Sequence, residues 1–168
     1  VCRGGVIEAC AALGRRIVAV APKAAADALE RACGGAMGSA CTALGKLYGS
    51  DGPVALRNTA RSQAKFEEAC KHRDAEGCYQ AGDGAMARSS FDRSEVRRWF
   101  NDGCELGSLD ACYRFAILQA PGSAQDRVAT MAIFNKVCAA DQAKSAHIGG
   151  ACWRVFLASM SAAQSAAD

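Results

Sequence analysis

Ten cysteines stand in five pairs, and four of those pairs share one spacing. Cys2/Cys10, Cys33/Cys41, Cys70/Cys78 and Cys104/Cys112 each enclose seven residues, and Cys138/Cys152 is the same unit carrying an insertion of six. The first members recur at intervals of 31, 37, 34 and 34 residues. A period in the mid-thirties belongs to stacked helical hairpins, which bury a core only by packing on their neighbours. Five disulfides are expected, and with them an oxidising compartment: periplasm, cell surface or secreted medium.

Metal binding is the competing use of paired cysteines. Zinc ligands are usually separated by two to four residues, and the chain contains neither C-x2-C nor C-x4-C. It also lacks the C-x-x-C-H signature of haem attachment. No metal or cofactor is therefore expected. The cross-links offset a thin core. Hydrophobic residues make up 51% of the chain, but alanine supplies much of that and aromatics only 7%. Alanine buries little apolar area, whereas each C-x7-C bridge is worth roughly 2–3 kcal/mol on the chain-entropy model.

The net charge of +3 is too mild for a nucleic-acid partner. No apolar run approaches the length of a membrane span. Cys2 occupies the place that closes a helix in every later repeat, so the chain reads as a processed or trimmed product.

Aligning the segments on their cysteines exposes a shared grammar. Four residues before each first cysteine stand Leu29, Phe66, Phe100 and Phe134, and four residues after the second stand Gly14, Gly45, Gly82 and Ala116. A small residue there lets a neighbouring helix come close. Leu13, Leu44, Ala81, Phe115 and Val155 precede that position. Each unit reads as two helices. The first set is expected at 10–20, 41–49, 78–88, 112–119 and 152–166, and the second at 23–33, 54–70, 92–104 and 124–138. Breakers separate them at 21–22, 50–53, 89–92 and 120–123. Asp92 and Ser123 are suited to cap helix N-termini. No stretch alternates with the period of a strand. The fold class is all-α: about four hairpins and a terminal helix, over approximately 10–33, 41–70, 78–104, 112–138 and 152–166. Each disulfide would staple one hairpin to the next and fix their stacking angle.

Two segments carry a family resemblance: Phe66-Glu-Glu-Ala-Cys-Lys-His-Arg-Asp-Ala-Glu-Gly-Cys-Tyr-Gln-Ala-Gly82 and Cys104-Glu-Leu-Gly-Ser-Leu-Asp-Ala-Cys-Tyr-Arg-Phe-Ala116. They resemble Sel-like repeats, in particular their secreted cysteine-rich, HCP-like branch, which is related to tetratricopeptide repeats. The likeness covers nearly the whole chain and is strongest in its middle. The first unit departs from it in lacking the glycine-rich inter-helix loop, and the last in having Phe156 where glycine is expected. The resemblance implies an α/α superhelix acting outside the cytoplasm as a protein-interaction scaffold. Some relatives act on β-lactams, which makes a β-lactam- or peptidoglycan-directed enzyme the alternative and a rigid spacer the third reading.

Ser62-Gln-Ala-Lys65 spells the S-x-x-K of β-lactam-acylating enzymes, but no Ser-Asp-Asn or Lys-Thr-Gly accompanies it. Ser62 is expected on the surface of a second helix, and no catalytic residue is assigned. His72 and His147 fall in different cysteine-bounded turns, too few and too far apart for a metal site, and are expected to be exposed. The paired arginines Arg15/Arg16 and Arg97/Arg98 read as solvated helix faces.

The resemblance places the first helix of each hairpin on the concave face. The residue after each second cysteine would then line a groove: Ala11, Thr42, Tyr79, Tyr113 and Trp153. Four residues further on come Arg15, Lys46, Asp83, Ile117 and Leu157, with Arg114 and Arg154 alongside. Tyrosine, tryptophan and arginine dominate binding hot spots, so Tyr79, Tyr113, Arg114, Trp153, Arg154, Lys46 and Arg15 are the expected binding residues. The competing expectation is that the aromatics pack between helices. The expected partner is a protein or extended peptide of the cell envelope.

Overall fold

The computed structural model describes residues 6–119, 123–140 and 147–165. The Cys2–Cys10 pairing, the breaker at 120–122 and the side chain of Phe156 lie outside what is described. Among the described residues the regular structure is entirely helical. In order come α1 (Ile7–Ile17), α2 (Pro22–Gly34), α3 (Gly38–Tyr48), α4 (Thr59–Lys71), α5 (Ala75–Met86), α6 (Arg93–Glu105), α7 (Leu109–Gln119), α8 (Ala124–Cys138) and α9 (Ile148–Ser165). Each helix packs on the next, giving four hairpins and a further helix. Along one side α3 also touches α5 and α5 touches α7. This is the solenoid arrangement expected of the repeat.

The first helices begin three or four residues ahead of the second cysteine, earlier than the cysteine pattern predicts. The reason is the tightness of the turn between hairpins. Ala36, Arg73 and Gly107 occupy the same repeat position and take φ of 63°, 59° and 100°. Each closes a Schellman turn, with Met37, Asp74 and Ser108 donating their N–H groups back to Ala32, Ala69 and Gly103. Only the third uses glycine, so the turn is hidden from a search for glycine breakers.

The expected helix 54–70 is shorter than its apolar pattern. Val54–Leu56 forms a single 3₁₀ turn, and α4 starts after Asn58, whose side chain accepts from Arg61 N–H at 2.9 Å. The Asn58 N–H also donates to the Tyr48 carbonyl, which draws the loop against the end of α3. Asp92 and Ser123 cap α6 and α8 as expected, Ser123 within a full capping box with Asp126.

Four disulfides, Cys33–Cys41, Cys70–Cys78, Cys104–Cys112 and Cys138–Cys152, join the last turn of a second helix to the first turn of the next hairpin. The core is correspondingly a string of small clusters, most of them built around a disulfide. Trp99, for example, is buried against Phe66 and the Cys70–Cys78 bridge.

Within each hairpin the small residue and the bulky one are partners. A Cβ at Gly14 would come within 2.6 Å of the Leu29 side chain, at Gly45 within 2.5 Å of Phe66, and at Gly82 within 2.7 Å of Phe100. Ala116 and Phe134 share one buried cluster in the fourth hairpin. The glycines let ring and backbone meet at van der Waals distance, and burial of each ring contributes about 1.5–3 kcal/mol.

Candidate binding clefts

The row after the second cysteine lies mostly between first helices and not in open solvent. Ala11 and Thr42 are buried. The Thr42 hydroxyl donates to Asp74 Oδ1 at 2.6 Å, and that oxygen also accepts the Gly77 N–H at 2.8 Å as the cap of α5. One carboxylate thus caps a helix and ties it to the preceding repeat. Sequence reasoning missed this link, although Asp before a predicted helix is an ordinary cap signal.

Tyr79 and Tyr113 are half-buried. The Tyr79 ring lies 6.1 Å from Phe100 and 6.4 Å from His147. Tyr113 stacks on His147 at 4.7 Å and meets Phe134 edge-on at 5.8 Å. His147 is therefore half-buried between two tyrosines, not exposed as expected. His72, expected to be exposed, is also half-buried, at the C-terminus of α4. Burial pushes the Tyr79 hydroxyl above its ordinary pKa, Asp83 adds to this, and Arg114 opposes it. Trp153, by contrast, is 59% exposed. No following first helix lies beside it among the described residues.

The cations of the second row divide likewise. Arg114 pairs with Asp83 at 2.8 Å and Lys46 with Glu76 at 3.1 Å, so α5 supplies carboxylates to the first helices on both sides. Ile117 is half-buried, Arg15 is exposed, and Leu157 is 47% exposed. The structure does not gather the expected binding residues into one patch. Arg15 and Lys46 border one cleft, Arg154 borders another, and Tyr79, Tyr113 and Arg114 fill the ground between.

The first cleft encloses about 880 Å³. Arg15 of α1, Lys46 of α3, Phe66 of α4 and Gln80 of α5 line it, and residues 49–53 wall one side. Arg57 holds that wall by donating to the Gly52 carbonyl at 2.9 Å. The second cleft, about 330 Å³, lies between α8 and α9 and is lined by Arg127, Thr130, Met131, Phe134, Arg154, Leu157 and Ala158. The two are repeat-equivalent. Measured from the cysteines, Thr59, Ser62, Phe66 and Gln80 of the first correspond to Arg127, Thr130, Phe134 and Arg154 of the second. Sequence reasoning missed the second-helix contribution, because it followed only the row beside the second cysteine.

Ser62 is buried rather than on the surface, and its hydroxyl donates to the Gly45 carbonyl at 2.7 Å, tying α4 to α3. Lys65 is held by Glu30 at 2.8 Å and Glu68 at 3.0 Å. Burial disfavours its charge, but these two carboxylates outweigh burial and raise its pKa. The ammonium stays protonated and is no base for Ser62. Cys33, Cys41 and Glu68 cluster, but both sulfurs are spent in a disulfide and offer no thiolate. No described helix is long and apolar enough to cross a membrane. No protein-family model and no curated protein matches the chain.

Proposed function

We propose that the protein is a Sel-like-repeat scaffold that binds an extended segment of a partner protein outside the cytoplasm, in the periplasm or secreted medium. The observation that carries this reading is the first cleft. Its walls come from α1, α3, α4 and α5, elements whose spacing is held by disulfides and glycine–aromatic contacts. A rigid cleft assembled from several repeats binds without the ordering cost of a mobile one. Arg15, Lys46 and Asp51 give its lining charge of both signs, while Phe66 and Leu47 supply apolar surface. That combination suits a peptide with alternating polar and apolar side chains.

The test is capture from envelope extract by the oxidised chain, beside an Arg15→Glu/Lys46→Glu variant. The expected result is a partner retained by the parent chain and lost by the variant, whose thermal stability stays within a few degrees. Retention by both would move the binding surface elsewhere. Turnover of a chromogenic cephalosporin that disappears in Ser62→Ala would replace the scaffold reading with a hydrolase.

A further inference from the structure

We infer that the edge of the array formed by the loops inside its hairpins is a membrane-docking surface, which rests on an anionic phospholipid bilayer without crossing it. Its apolar tips, Val20 and Val54, and its flanking cations, Arg16 and Lys23, do not line the first cleft. The inference stands whether or not that cleft takes a peptide.

The topology defines the edge. Each helix packs on the next and first helices lie beside one another, so the α1–α2, α3–α4 and α5–α6 loops fall on one edge. The disulfide-bearing turns fall on the other. Connecting loops are ordinarily polar, and a run of apolar residues left in water signals a function. The α1–α2 connection reads Ile17-Val-Ala-Val-Ala-Pro22, and none of these residues is buried. At its tip Val20 is 82% exposed. In the α3–α4 connection the 3₁₀ turn Val54–Leu56 also contains no buried residue, and Val54 is 76% exposed. Phe91, 44% exposed, stands in the α5–α6 loop. Each of these loops therefore holds a large apolar side chain in solvent.

Charge divides along the same edges. Between residues 14 and 25 stand Arg15, Arg16 and Lys23 and no acid. Between 45 and 62 stand Lys46, Arg57 and Arg61 against Asp51 alone. The α5–α6 loop is mixed, with Arg88 and Arg93 offset by Asp83, Asp92 and Glu95. On the opposite edge, the turn after α6 carries Asp102, Glu105 and Asp110 and no base. The field of the chain therefore turns the first two loops toward an anionic surface and the acidic turn away from it.

Aliphatic tips flanked by cations match the boundary between lipid headgroups and acyl chains. Val20 and Val54 would enter the hydrocarbon, while the exposed Arg16 and Lys23 stay at the phosphates. A protein partner fits less well. The tips stand on separate loops with charges between them, not in the contiguous apolar patch that marks a protein interface. A fluid bilayer admits each tip without a matching pocket.

The experiment measures co-sedimentation of the full oxidised chain with vesicles of phosphatidylcholine, alone or mixed with phosphatidylglycerol. The mixed vesicles should retain the chain, less so at high salt, and the neutral vesicles should retain it about tenfold more weakly. Val20→Ser/Val54→Ser keeps every charge and should weaken retention about tenfold or more. Arg16→Gln/Lys23→Gln keeps both tips and should do the same. All four side chains are exposed, so both variants should keep the parent melting temperature. In a Val20→Trp chain the added indole emission should shift to the blue on mixed vesicles and be quenched by brominated acyl chains. No retention by mixed vesicles at about 1 mM lipid would overturn the proposal. So would retention unmoved by Val20→Ser/Val54→Ser, which would assign the edge to a charge-only contact such as an acidic protein provides.

Discussion

The third and fourth hairpins meet through a closed junction, whereas the fourth hairpin meets α9 through an open one. Both share the same scaffold: a C-x7-C or extended cysteine staple, and an aromatic ring four residues before it. In the closed junction Arg93 reaches Leu118 and Arg114 reaches Asp83. In the open one Arg127 and Arg154 hold the positions of Arg93 and Arg114, and both line the cleft with Met131 and Leu157. Stacking is thus set by the cysteines, the small residue and the ring. Whether a junction is a closed seam or an open cleft is a separate matter from stacking, and it turns on a few side chains beside the staple.

The largest effect should come from deleting the rings that the two junctions share. Phe100 is fully buried, and Phe134 is nearly so but forms the floor of the open cleft. Ring deletions of this kind cost about 3–5 kcal/mol. Phe100→Ala should lie toward the top of that range and Phe134→Ala toward the bottom, in urea unfolding of the oxidised protein. Equal costs would mean that the last junction is packed as tightly as the one before it.

Next come the glycines. Gly82→Ala puts a methyl 2.7 Å from the Phe100 ring and should cost about 1–3 kcal/mol through overpacking. Gly149 at the start of α9 meets nothing within 4 Å. Gly149→Ala should therefore be neutral or stabilising by up to about 1 kcal/mol, since alanine favours helix. A loss at Gly149 would place an unseen neighbour against α9.

The row beside the second cysteine gives the third contrast. Tyr113→Ala removes stacking on His147 and an edge contact to Phe134, and should cost about 1–2 kcal/mol. Trp153→Ala should change stability by less than about 0.5 kcal/mol, because that side chain is mostly in solvent. Similar losses would refute the division of this row into packing and surface members.

These contrasts also mark what the sequence could reveal. The spacing of the cysteines and the recurrence of one small and one bulky residue in each repeat were legible, because each answers one packing requirement; that Gly45 meets Phe66 and Gly82 meets Phe100 is visible only in the fold. The turns at Ala36 and Arg73 were not, since a left-handed residue without glycine leaves no compositional trace. Tyr79 and Trp153 occupy the same repeat position, yet among the described residues only Tyr79 has a following first helix beside it. Their different exposure depends on neighbours, which a row read along the chain does not contain. Thr42 was placed in a groove for the same reason, although Asp74 thirty-two residues on claims its hydroxyl.

The smallest effect is a pH dependence at the second-helix caps, one in each of the compared hairpins. Ser94 hydrogen bonds hold the Asp92 carboxyl below its ordinary value, and Ser123 hydrogen bonds do the same for Asp126. A carboxyl with a depressed folded-state pKa contributes stability that is fully present above its unfolded value of 3.8. That contribution disappears as the pH falls through the lower, folded value. Melting temperature should therefore decline on acidification below about pH 4, by a small amount because both groups are fully exposed. Asp92→Asn and Asp126→Asn should each flatten the decline while leaving the neutral-pH melting temperature almost unchanged. The two caps have the same exposure and the same kind of serine partner, so the flattening should be equal. A larger change for Asp126→Asn would show that α8 is held less firmly by its neighbours than α6, extending the looseness of the last junction from its side chains to its helix.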